Sequence, residues 1–142
     1  MSTVFALLVG CALHVGTPPS RGYAVIRVDA PVAEAEIDVA LRAAVEASLA
    51  ARGASGSEPL ALQVEVASWT PSRREGDLVV YLAELRVRFV AGERTRSSAS
   101  STFVPAPADA ASARAEREAA FADLAERVDA EGVTWLLHGA AQ

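Results

Sequence analysis

Lysine and asparagine are absent from this chain of 142 residues, and cysteine occurs once, at position 11. All thirteen basic residues are therefore arginine. That skew most simply reflects G+C-rich codon usage, so arginine in place of lysine says little about chemistry. A single cysteine forms no internal disulfide, which rules out a disulfide-stapled fold. No run of about 18 apolar residues occurs, so no segment qualifies as a spanning helix. The net charge of −5 argues against a general nucleic-acid binder, although a local basic patch remains compatible with it. Aromatic residues make up only 6% of the chain. Half of the chain is apolar, but much of that is alanine, so the core rests on few large side chains.

Motifs that carry catalysis are also missing. His14 and His138 stand in no ligand-like spacing, so no metal site is expected. No serine has a nucleophile-elbow context, and no glycine loop would cradle a phosphate. Cys11 has no basic or histidine neighbour inside the expected folded region to make it a catalytic thiolate. The pairs Glu116 with Asp123 and Glu126 with Asp129 read as helix-surface carboxylates beside Arg114, Arg117 and Arg127. The expectation is a protein without cofactor, metal or enzymatic activity.

What the chain does have begins at its N-terminus. Leu8-Val9-Gly10-Cys11 resembles a bacterial lipobox behind the apolar run Val4 to Val9. On that reading residues 1–10 are a lipoprotein signal peptide, and Cys11 is the lipid-attachment residue. Residues 11–21, with Pro18-Pro19, form a flexible tether, and 22–142 are one domain. Ala12 after the cysteine favours outer-membrane sorting. Met1-Ser2-Thr3 lacks the basic side chain of a signal peptide, which a start codon farther upstream would explain. The alternative makes Val4 to Val9 a first strand and Cys11 a small buried hydrophobe.

From Tyr23 onward the periodicity outlines a domain. Tyr23 to Asp29 reads as a strand, and Ile37, Leu41, Val45 and Leu49 place one apolar stripe on a helix from about 33 to 52. Leu60, Leu62, Val64 and Val66 alternate in a strand that ends near Trp69, with Thr70 to Asp77 as a loop. Leu78 to Val90 is a long strand carrying Val79, Tyr81, Ala83, Leu85, Val87 and Phe89 on one face. Leu78, Val80 and Leu82 make its first half apolar on both faces, which suggests cover from both sides or a partner. A three-residue loop, Ala91-Gly92-Glu93, then leads to a strand from Arg94 to Val104, stopped by Pro105 and Pro107. A last helix runs from between Asp109 and Ser112 to about Leu137. The order β-α-β-β-β-α gives an α+β two-layer sandwich, two helices on one face of a mostly antiparallel four-stranded sheet.

With the three-residue loop, Val90 pairs with Arg94 and Arg88 with Arg96. Arg86, Arg88, Arg94 and Arg96 then project together from the face away from the helices. Stacked guanidinium groups repel one another, so such a face calls for Glu65 and Glu84 or for an anionic ligand or partner.

The layout resembles the LptE family, the lipoproteins that sit inside the LptD translocon for lipopolysaccharide. The resemblance rests on the lipobox-like cysteine, Gly22-Tyr23, "LAARG" at Leu49 to Gly53, "YLAELRVRF" at Tyr81 to Phe89, and "AEREAAFADLAERV" at Ala115 to Val128. It implies a lipid-anchored plug on the periplasmic face of the outer membrane. Its partners would be a β-barrel translocon and lipopolysaccharide, with no nucleic acid, and Arg86, Arg88, Arg94 and Arg96 would be the nearest candidates for lipid contact. An auxiliary lipoprotein of a lipid-transport ABC system and an unlipidated soluble binding domain are the other two readings.

Overall fold

Four-residue spacing puts Ile37, Leu41, Val45 and Leu49 on one side of a helix, and all four are buried. They face alternate residues of the sheet, among them Leu60, Leu62, Leu85, Val87 and Phe89, which are also buried. The computed structural model describes residues 22–30 and 35–140. Its elements are β1 (Tyr23–Asp29), α1 (Ala35–Ala51), β2 (Glu58–Glu75), β3 (Leu78–Ala91), β4 (Arg94–Pro107) and α2 (Ala110–Ala140). The expected α+β order holds.

The strands lie in the order β1-β2-β3-β4. β1 runs parallel to β2, which the α1 crossover makes possible, while β2, β3 and β4 form an antiparallel meander. Both helices cover one face. Phe121, Leu124, Val128, Val133 and Leu136 of α2 complete the core. Asp109 caps α2, its Oδ1 accepting the Ser112 backbone N–H at 2.9 Å. Arg52 falls just beyond α1 and donates to the Thr134 hydroxyl of α2 at 3.2 Å.

The structure corrects three local expectations. First, β2 does not end at Trp69. Thr70 to Glu75 continue the ladder, with Pro71 opposite Tyr81 and a register shift at Ser72. β1 accompanies β2 only as far as Gln63, so the distal part of β2 has a neighbour on one side, and such a position tolerates proline. Second, Pro105 and Pro107 do not stop β4, because β4 is an edge strand.

Third, the β3–β4 loop has two residues, not three. Ala91 pairs with Arg94, Phe89 with Arg96 and Leu85 with Ser100. Gly92 takes φ 65°, and Glu93 does not have positive φ. Gly76 at the β2–β3 turn repeats this, with φ 61° ahead of Asp77. A two-residue turn with glycine first and positive φ only there fits type II′, whose twist matches that of the flanking strands. The one-residue change of register moves every β4 side chain to the opposite face.

Candidate functional site

The register divides the four arginines. Arg86 and Arg88 project from the helix-free face of β3, as expected. Arg94 and Arg96 sit on the helix side and do not join them. The Arg94 guanidinium donates to the backbone oxygens of Leu136 at 3.3 Å and Trp135 at 3.5 Å, and it lies 4.6 Å from the Trp135 ring centroid. Arg96 approaches Glu131 at 3.6 Å. These two residues hold α2 against β4.

On the helix-free face, a register shift between Val64 and Val66 singles out Glu65. Glu65 meets Arg88 at 2.8 Å and accepts the Ser97 hydroxyl at 2.8 Å. Glu84 accepts from Ser68 at 3.3 Å. Arg86 has no hydrogen-bond or ion-pair partner among the described residues. It borders a shallow depression of about 310 Å³ shared with Val66, Glu84, Ala99 and Ser101. The pre-formed anion-seeking group on this face is therefore one guanidinium beside a glutamate, rather than four stacked arginines.

Sequence periodicity missed the three-stranded ribbon that the longer β2 creates. Trp69 and Tyr81 stack there with ring centroids 4.5 Å apart and planes at 12°. The Arg73 guanidinium lies 5.7 Å from the Phe103 ring. Phe103 is 56% exposed, and Leu78 is also exposed, whereas Val80 is buried between its ladder partners Arg73 and Pro105. The two-faced apolar start of β3 is thus partly covered by its own sheet. The Pro71 signal for a loop concealed this ribbon.

Asp123 pairs with Arg127 at 2.7 Å, as a helix-surface carboxylate should. Asp129 is instead buried at the α1–α2 interface. Its Oδ2 accepts the Ser48 hydroxyl at 2.6 Å, while Oδ1 has no partner among the described residues. Burial raises its pKa above the ordinary carboxylate value, opposed by the Ser48 hydrogen bond and the Arg52 charge. The acid lies on the α2 surface that packs against α1, which is why sequence spacing alone did not reveal it.

Among the described residues no group of three or more His, Cys, Asp or Glu could hold a metal ion. His138 is exposed near the end of α2. Cys11 and His14 lie outside the described residues. No described helix is long and apolar enough to cross a membrane.

No protein-family model matches the chain, and no curated protein does either. Solved structures do. A candidate lipoprotein from Caulobacter crescentus superposes with a TM-score of 0.57 at 12% identity, over 84% of this chain and 87% of its own. A Xanthomonas campestris protein of the DUF330 family superposes with a TM-score of 0.52 at 18% identity, over 85% of this chain and 88% of its own. At such identities the likeness establishes the fold: this chain has the α+β architecture found in a candidate lipoprotein and in a DUF330 protein.

Proposed function

We propose that the protein is a lipoprotein anchored through Cys11 that acts, without catalysis, as an auxiliary subunit of an envelope lipid-transport ABC system. The observation that carries this reading is the fold shared with a candidate lipoprotein over most of both chains, joined to the lipobox-like Leu8-Val9-Gly10-Cys11. The first strand begins at Tyr23, so residues 12–22 would join it to the anchor. Fully extended at about 3.3 Å per residue, they reach on the order of 35 Å, enough to clear the lipid headgroups.

The resemblance to the lipopolysaccharide plug supplies a second reading, on the periplasmic face of the outer membrane. The exposed Phe103 and Leu78 favour it as surface against a barrel wall. The lipopolysaccharide contact proposed for it would rest on Arg86 and Arg88 alone, because Arg94 and Arg96 project from the other, helix-covered side of the sheet. That reduction makes the ABC auxiliary role the stronger of the two.

The experiment is mass spectrometry and tagged co-purification from mildly solubilised membranes. A diacylated Cys11 N-terminus together with a co-purifying permease or substrate-binding component supports the proposal, and Cys11→Ser should release the protein from membranes. A large β-barrel partner would transfer the role to the translocon. Recovery of unlipidated protein that retains Met1 would sink both readings.

A further inference from the structure

A groove of about 600 Å³ runs along the solvent flank of α2 beside the start of β4, within the size range of small-molecule sites, roughly 300–1,000 Å³. The exposed Ala130 and Thr134 and the partly buried Trp135 line it, together with Arg96, Arg127, Glu131 and His138. The lining is an apolar strip with basic groups around it.

Two features make the groove a prepared surface. Arg94 covers one face of the Trp135 ring, and its hydrogen bonds to the Trp135 and Leu136 carbonyls tie that cation to the same turn. The indole N–H has no hydrogen-bond partner among the described residues, so it is free to donate to a ligand. Glu131 is the one acid in the lining, and its carboxylate is already engaged by the Ser98 hydroxyl at 2.6 Å and by Arg96 at 3.6 Å. Among the described residues Arg127 pairs only with the exposed Asp123, an i,i+4 surface contact of the weak kind that a stronger anion readily displaces. Arg52, just past the end of α1, adds a further positive charge through its hydrogen bond to Thr134. In a chain of net charge −5, this gathering of basic groups around an apolar strip is complementary to an anionic amphiphile.

We propose that the groove binds a single-chain anionic lipid. The acyl chain lies along Ala130, Thr134 and Trp135, and the phosphate or carboxylate headgroup is held by Arg127 with Arg96 and the Trp135 indole N–H. Guanidinium groups suit such headgroups because they offer paired donors in one plane. The site does not depend on which transport complex, if any, the protein serves.

The test uses the full chain with Cys11→Ser, so that no attached lipid competes, and with Trp69→Phe, so that Trp135 is the sole indole reporter. The probe is lysophosphatidylglycerol below its critical micelle concentration, followed by tryptophan emission. A saturable change is expected, with lysophosphatidylcholine and glycerol 3-phosphate each binding at least about tenfold more weakly, since the site needs both charge and chain. Arg127→Gln should weaken lysophosphatidylglycerol by a similar factor, about tenfold, because it removes a charge-assisted hydrogen bond from an open site. Ala130→Glu, at an exposed helix position, should abolish binding with the circular dichroism spectrum retained. No saturable change, equal affinity for the zwitterionic probe, or binding indifferent to both substitutions would overturn the proposal. Binding of glycerol 3-phosphate as tight as that of the lysolipid would overturn the amphiphile and leave a simple anion site.

Discussion

Phe89 lies against the backbone of Gly132, its ring occupying the space that a Cβ on that residue would fill. Phe89 is fully buried near the C-terminal end of β3, so the ring has nowhere to retreat. The glycine inside α2 thus lets helix and sheet approach closely. Gly132→Ala gains roughly 1 kcal/mol of helix propensity, yet it forces an overlap with a packed aromatic ring. Overpacking of this kind costs about 1–3 kcal/mol and more where the neighbour cannot move. Denaturant unfolding should therefore show net destabilisation. Phe89→Leu should recover part of that deficit in the double variant, a non-additivity that contact between the two sites demands. Stabilisation by Gly132→Ala alone would contradict the contact.

Gly92 sets the β3–β4 register through its φ of 65°. Gly92→Ala places a side chain in a conformation that costs about 1 kcal/mol relative to glycine. Among the described residues no neighbour lies within 4 Å of the added Cβ, so the destabilisation reports backbone strain. Glu93→Ala, lacking that constraint, should change the unfolding midpoint by much less.

The fold was legible where a period was strong and unbroken. Ile37, Leu41, Val45 and Leu49 define α1, and Leu85, Val87 and Phe89 define the inner face of β3. Legibility failed where a local signal competed with the ladder. Pro71 reads as a loop, yet the distal part of β2 has a neighbour on one side only and accepts it. The β3–β4 loop length expected from the sequence was wrong because the serine-rich β4 has no alternation strong enough to choose its own face. The choice falls to turn geometry and to Ser98, which is buried and bonded to the Val128 carbonyl and Glu131. A register error of one residue was enough to assemble an arginine face that does not exist.

That division of the arginines predicts unequal consequences. Arg94 makes two hydrogen bonds to α2 carbonyls and a cation–π contact with Trp135. Bonds from a charged donor and a cation–π contact together support a destabilisation of about 1–2 kcal/mol for Arg94→Ala. Arg86 has no such partner among the described residues, so Arg86→Ala should stay within about 0.5 kcal/mol of the parent. Equal effects in thermal unfolding would argue against the observed faces.

At the start of α2, Asp109 accepts the Ser112 backbone N–H, and that bond, with the Ser112 hydroxyl, lowers its pKa. A depressed folded pKa contributes stability above the unfolded value, and that contribution disappears as pH falls through the folded one. Asp109→Ala should fray the first turn of α2, raising amide exchange at residues 110–113. The difference from the parent should be present at neutral pH and diminish in acid. A difference that persists unchanged in acid would mean that the carboxylate is not the capping group.

Asp129 carries the opposite sign. Burial raises its folded pKa above 3.8, so the native state holds this proton more tightly than the unfolded chain does. Its contribution is then complete below the unfolded pKa and is lost as pH rises through the folded one. Above that window the ionised carboxylate stays at the α1–α2 interface, with Ser48 on one oxygen, no partner among the described residues on the other, and Arg52 as the compensating charge. Asp129→Asn removes the titration while keeping an oxygen to accept from Ser48. Stability measured from about pH 3.5 to 7 should fall less steeply with rising pH in the variant than in the parent, as linkage requires. Ser48→Ala should steepen the parent's fall, because the hydrogen bond that favours the ionised form is gone. Parallel pH profiles for the parent and Asp129→Asn would show that this carboxylate does not titrate differently on folding, and the buried interface would then owe nothing to its charge state.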